Sequence, residues 1–226
     1  MKKTLTLFVS LTLLCAMTLS ASAQTAVDTI LSEGTTQAFK ADAIAEDDLN
    51  IILQAGLSTA SAINQQPWHF AVITNQAIME EIGGAMSMGS APAGASAPTD
   101  SANTPEDMPK MPASTGAKAG LGDSPVAIVV YMNENTPSPD ESFDCGLATQ
   151  NMVIAANALG YGTKIVSAPT MALNGDQHDE ICEKLGVDKA YNAVAVLLLG
   201  YTDTEVDGSS GASTRSTMDE KVSFIR

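Results

Sequence analysis

The residues best suited to chemistry stand in one short stretch, Ser61-Ala62-Ile63-Asn64-Gln65-Gln66-Pro67-Trp68-His69-Phe70. It leaves a segment of helical periodicity, turns through hydroxyl and amide side chains, and enters an apolar run. Such a turn offers neutral donors and acceptors to a ligand, while Pro67 fixes the entry to a strand and Trp68 anchors it. The same residues also suit a capped helix-to-strand turn with no ligand. Other catalytic equipment is sparse. There is no Gly-x-Ser-x-Gly elbow, phosphate loop, paired set of zinc ligands or dinucleotide fingerprint after a strand. His69, in a strand-like run, and His178, near a helix start, are too isolated for a metal site or a triad, so hydrolysis has little support. Met86 with Met88 and Met108 with Met111 carry thioethers that would suit a soft metal such as Cu(I), or they decorate a surface insertion.

The N-terminus sets the compartment. Met1, Lys2 and Lys3 precede an apolar stretch from Leu5 to Leu19 and then Ala21-Ser22-Ala23. That order is the pattern of a secretory signal peptide over residues 1–23, with Gln24 as the mature N-terminus and a periplasmic or secreted destination. The stretch is short of the ~20 residues a membrane anchor needs. Leu14 before Cys15 argues against a lipoprotein signal. Removing Lys2 and Lys3 leaves 9 basic residues against 26 acidic ones, a formal charge of −17. Nucleic acid is thereby disfavoured, because binding it needs a basic face. Cys145 and Cys182 remain, each in a helix-like segment, and read as two separate buried thiols more readily than as a disulfide.

These residues must be positioned by a single domain over 24–226. Helical periodicity predicts a first helix from Ala26 to Phe39 and a second from Glu46 to Ser58, with Leu49, Ile52, Leu53 and Leu57 on its inner face. Trp68 to Thr74 reads as a strand. From Gly83 to Gly122 the composition shifts to Ala, Gly, Ser, Pro and Met, which reads as a disordered low-complexity insertion. Pro125 to Met132 and Ala193 to Tyr201 read as strands buried on both faces, and Thr163 to Ser167 as a shorter one. Asp140 to Leu159 reads as a long core helix stopped by Gly160, and Asp176 to Leu185 as another ending at Gly186. Val222 to Ile225 is a last apolar piece able to pair with something. Helices and strands interleave without a βαβ rhythm, so the expected class is α+β, with a central mixed or antiparallel sheet flanked by helices.

Three blocks in this order carry a resemblance. Ser61, Asn64, Gln66, Pro67 and Trp68 resemble the Ser-x-x-Asn-x-Gln-Pro-Trp signature of the FMN-dependent nitroreductase family. Asp144 to Pro169, with Gln150-Asn151, Leu159-Gly160-Tyr161-Gly162 and Ile165-Val166-Ser167, is similar to the family's buried central helix and the strand beside the flavin. Gly200-Tyr201, then Ser213-Thr214-Arg215, is similar to its tail, where a basic residue meets the FMN phosphate.

The resemblance implies a homodimer with flavin at the subunit interface and a C-terminal segment crossing to the partner. It also implies ping-pong hydride transfer, in which NAD(P)H reduces the flavin and the flavin reduces a nitroaromatic, quinone or similar acceptor. Its expected cofactor-binding residues here are Thr35, Gln37, Ser61, Asn64, Gln66, Ser167, Ala168 and Arg215. No side chain is assigned as catalytic, and the backbone N–H groups of Ser167 and Ala168 are expected beside flavin N5 and O4. One departure stands out. Where the family carries an Arg-x-Ser-x-Arg/Lys-x-Phe stretch, this chain has Glu33-Gly34-Thr35-Thr36-Gln37-Ala38-Phe39, with Lys40 the nearest cation. A carboxylate near a phosphate is repulsive, so weak FMN binding is expected, or a flavin held through its ring. An exported binding protein without turnover is the alternative from another class.

Overall fold

The computed structural model describes residues 27–89, 121, 124–137, 140–205 and 215–225. The signal-peptide reading, residues 90–120 of the insertion, and Met108 and Met111 lie outside the described residues. Four strands form one antiparallel sheet in the order β1-β2-β4-β3: β1 (Trp68–Ile73), β2 (Val126–Asn133), β3 (Gly162–Val166) and β4 (Tyr191–Gly200). Trp68 pairs with Met132, Val126 with Leu199, and Val166 with Val196. Helices lie on both faces: α1 (Glu46–Leu57) and α3 (Glu141–Ala158) on one, α2 (Gln76–Gly89), α4 (Thr170–Leu173) and α5 (His178–Leu185) on the other. A short turn of helix, α6 (Met218–Lys221), lies in the tail. The architecture is the α+β class read from the sequence.

Alternation along β2 divides the core. Val126, Ile128 and Val130 meet Ile52, Cys145, Met152 and Val153, while Ala127, Val129 and Tyr131 meet Met79, Ile82, Leu173 and Cys182. A strand coated on both sides has no polar face, which is why it reads as one continuous apolar run. Cys145 and Cys182 are free and sit on opposite sides of this sheet.

α3 starts where Asp140 accepts the Phe143 N–H at 2.9 Å. It ends where Gly160 takes φ 88° and the Tyr161 N–H returns to the Ala156 carbonyl at 3.0 Å. A left-handed Gly closing a helix this way satisfies carbonyls that would otherwise be orphaned. Its expected burial holds for one face only, since Phe143 is 61% and Leu147 39% exposed.

Three other expectations need correction. Among the described residues the first helix covers 27–31, and the chain then runs extended to a bridge between Phe39 and Thr202. On α1 the inner positions are Leu49, Ile52, Leu53 and Gly56; Leu57 is 49% exposed, because 49, 52, 53 and 56 complete one stripe and 57 rotates past it. α2 was not expected and runs through Gly83 and Gly84 to Gly89, into the segment read as insertion. Met79 and Ile82 pack it onto the sheet, and Asn75 starts it by accepting the Ala77 N–H. Val222 to Ile225 pairs with no strand of its own chain among the described residues, and Ile225 is 98% exposed.

Candidate functional site

Two polar groups stand at opposite edges of the sheet. The first is the corner between α1 and β1. Ser61 Oγ accepts the Gln66 N–H at 2.8 Å, and Gln66 Nε2 donates to Asn64 Oδ1 at 3.1 Å. The corner is strained: Ile63, Asn64 and Gln66 take φ of 46°, 60° and 48°. A left-handed backbone costs an L-residue about 1–2 kcal/mol, less for Asn, and Ile is a poor fit there.

The corner is pinned from α3. Asp144, 3% exposed, accepts the Ala62 N–H on both carboxylate oxygens at 3.2 and 3.0 Å. Asn151 Nδ2 donates to Thr59 Oγ1 at 2.7 Å, and the Asn133 N–H donates to the Pro67 carbonyl at 2.8 Å. Trp68 is buried against the α1/α3 core, with its ring parallel to Phe70. The result is a fixed loop that presents Ile63, Asn64 and Gln66 outward. Strain of this kind persists where surrounding structure over-determines the backbone, and it concentrates at ligand sites.

The second group lies along β3. The extended segment after Glu33 is zipped to the sheet by three backbone bonds: Thr36 N–H to Thr163 O, Lys40 N–H to Tyr201 O, and Asp203 N–H to Ala38 O. Thr36 Oγ1 meets Thr202 Oγ1 at 3.1 Å over Gly162, where any Cβ would fall 2.3 Å from both hydroxyls. That pairing buries Thr36 and Phe39 and leaves Thr35 and Gln37 exposed. Gln37 Oε1 accepts from Lys164 Nζ at 3.0 Å. Glu33 Oε2 accepts from Gln150 Nε2 at 2.7 Å, so its carboxylate is held in place rather than turned away. Ser167 and Ala168 follow β3 directly and are exposed; the Ser167 carbonyl caps the next turn, accepting from Thr170 N–H and Oγ1.

The fold thus brings Ser61, Asn64 and Gln66 together, sets Thr35 and Gln37 beside the start of β3, and places Ser167 and Ala168 just past its end. Arg215 joins neither group: it is exposed, and no hydrogen bond or ion pair ties it to another described residue. Lys40 lines a shallow groove of about 670 Å³ with Asp42, Gly160, Tyr201 and Thr202. The cation that reaches Gln37 is Lys164, which sequence reading passed over. Its signal was a lysine inside the run read as a short strand, Thr163 to Ser167.

Other polar groups are structural. The His178 ring lies between the carbonyls of Leu173 and Lys189 at 2.8 and 3.0 Å, and exposed His69 meets Tyr191 edge-on. Burial, then the nearby charges of Asp144 and Glu141, pushes the Cys145 thiol up to about 12, which leaves it inert.

In the register, Val166 is level with Val196, Val129 and Ala71, and the chain leaving β3 heads toward the Trp68 end. The corner and Ser167-Ala168 are therefore at one end of the four-stranded sheet on opposite edges, three strand spacings or about 14 Å apart within one protomer, while Thr35 and Gln37 lie toward the other end, beside Thr163.

Comparison with known proteins follows the same lines. The model of the nitroreductase family matches residues 33–201. A curated protein from Methanothermobacter thermautotrophicus is 28% identical over 121 residues, 53% of this chain and 48% of its own length. One from Archaeoglobus fulgidus is 25% identical over 167 residues, 73% of this chain and 78% of its own. Both bear the name "Putative NADH dehydrogenase/NAD(P)H nitroreductase". The chain spans about half the length of the first of these. The crystal structure of a nitroreductase with bound FMN from Bacteroides fragilis superposes with a TM-score of 0.66 at 19% identity, covering 89% of this chain and 98% of that one.

Proposed function

The chain belongs to the nitroreductase family, and from that premise we propose that it is an exported FMN-dependent oxidoreductase that works as a homodimer and reduces a nitroaromatic, quinone or similar small acceptor with electrons from NAD(P)H. One observation carries the reading: the polar corner and the backbone leaving β3 at Ser167 and Ala168, suited to the edges of a flat heteroaromatic ring, stand at the same end of the sheet on opposite edges, with Thr35 and Gln37 further back along β3. Within a protomer about 14 Å separates the first two, so one ring meets both when the corner of one protomer stands against the β3 end of its partner. Surface left open for such a partner supports the dimer. Phe143 and Leu147 lie one turn apart on the outer face of α3, and Val222, Phe224 and Ile225 project from the tail.

The donor set fits the ring of the cofactor. Asn64 and Gln66 carry amides, Ser61 and Thr35 hydroxyls, and Gln37 an amide polarised by Lys164; together they match a ring edge of alternating carbonyls and N–H groups. The backbone N–H groups of Ser167 and Ala168 would stand beside N5 and O4. When bound, FMN supplies hydride transfer, and the chain supplies orientation, exclusion of water and electrostatics. The phosphate end fits less well, with Arg215 as its cation and the fixed Glu33 carboxylate opposing it. The cofactor is therefore held mainly through its ring.

Purified protein tests this directly. It should show flavin absorbance, or gain it on titration with FMN or riboflavin. It should oxidise NADH or NADPH steadily with a quinone or nitroaromatic present, and Asn64→Ala should lose that turnover. Silence toward both flavins removes the reading. Flavin binding without turnover from either nicotinamide selects the second reading, an exported flavin or small-ligand binder, which the Glu33–Gln150 bond favours because it holds a carboxylate where an anion would sit. Export, with residues 24–226 as the mature domain, predicts an N-terminus at Gln24 on sequencing of the protein recovered outside the cytoplasm.

A further inference from the structure

We propose that Lys164 is the positioning cation of the site, stabilising the reduced cofactor through Gln37; the inference rests on the flavin reading above. Reduction places negative charge on the cofactor ring, and Gln37, a neutral amide, cannot offset it alone. The fold answers this with a residue 127 positions away.

Lys164 Nζ donates to Gln37 Oε1 at 3.0 Å. A cation on an amide oxygen polarises the whole amide, so its N–H pole donates more strongly to whatever it meets. Gln37 is exposed on the same face as Thr35, whose carbonyl accepts from Gln37 Nε2 at 3.4 Å. Lys164 also lies on β3 itself, close upstream of Ser167 and Ala168, so charge and backbone donors share one rigid element.

The alternatives for this role are placed elsewhere. Lys184 pairs with Glu81, and Lys189 with Asp179 at 3.4 Å, both at α5 and its end. Lys40 faces the groove with Asp42. Glu33, the nearby carboxylate, takes its bond from Gln150 and not from the lysine. Among the described residues the Lys164 head therefore meets an amide and no carboxylate, and its charge is not spent in a salt bridge.

The test measures affinities of the full mature chain for oxidised and for chemically reduced FMN, with the midpoint potential as an independent readout. Lys164→Met should lower the preference for the reduced form about tenfold, which is about 30 mV for a two-electron couple. Lys164→Arg should restore it, and Lys40→Met should leave it unchanged. Because the effect runs through the amide, Lys164→Met in a Gln37→Leu background should add little. A Lys164→Met potential equal to wild type, or a loss matched by Lys40→Met, overturns the inference while flavin binding itself stands. A wild-type chain that binds no flavin fails the functional reading first, and the inference falls with it.

Discussion

Removing the Asp144 carboxylate should release the corner that carries Ser61, Asn64 and Gln66. The carboxylate is 3% exposed and receives the Ala62 N–H at 3.2 and 3.0 Å. A hydrogen bond to a charged group contributes about 1.5–3 kcal/mol, and its loss leaves a partly buried N–H unpaired. Against that, the corner stores strain. Ile63 and Gln66 in the left-handed region together cost about 2–4 kcal/mol, part of which is recovered once the loop can relax. The two quantities are comparable, so Asp144→Ala should cost about 2 kcal/mol of global stability, or about 4–8 °C in Tm for a chain of this size. The relaxed corner should weaken flavin binding at least tenfold. Asp144→Asn keeps the shape and one acceptor oxygen, and should sit between the two. Urea unfolding and flavin titration on the same preparations check both numbers. If Asp144→Ala stays within 0.5 kcal/mol of wild type, or binds flavin equally well, the anchoring argument is wrong.

Gly162→Ala would place a methyl 2.3 Å from the hydroxyls of Thr36 and Thr202, so the segment carrying Thr35 and Gln37 must shift; a loss of about 1–3 kcal/mol with weaker flavin binding is expected, and an unchanged urea midpoint would refute it. The Asp140 carboxyl is held below its ordinary value of 3.8 by the Phe143 N–H and then by Ser142, a depressed folded pKa whose stabilisation is complete above 3.8 and fades as pH falls through the lowered value. Asp140→Ala should accordingly unfold at lower urea than wild type near neutrality and converge with it in strong acid; a gap that widens as the pH falls would contradict this. Cys145 and Cys182, buried and free on opposite faces of the sheet, should resist a chromogenic thiol reagent while folded and both react in urea, with no change of mobility on reduction. Rapid labelling of the native protein would count against the packing described.

Much of the scaffold was legible because its signals are local. The apolar runs of β2 and β4 mark strands covered on both sides, Asp140 and Gly160 punctuate α3, and the polar corner before Trp68 follows from residue types alone. α2 escaped because Gly83 and Gly84 read as breakers, whereas Met79 and Ile82 bury enough surface on the sheet to carry the helix through them. The segment from Glu33 to Phe39, read as the end of a helix, is extended. Its backbone groups find partners on Thr163, Tyr201 and Asp203, and weak local preference yields to tertiary hydrogen bonds.

By itself the sequence determined the four strands, α1, α3 and α5, and which amides and hydroxyls stand near them, since periodicity, caps and turn chemistry act over a few residues. Tertiary structure alone decided that Lys164 meets Gln37, that Asp144 holds the strained corner, and that the corner and the chain leaving β3 share one end of the sheet at opposite edges. Those facts depend on strand order and register, which are set by how distant apolar faces pack.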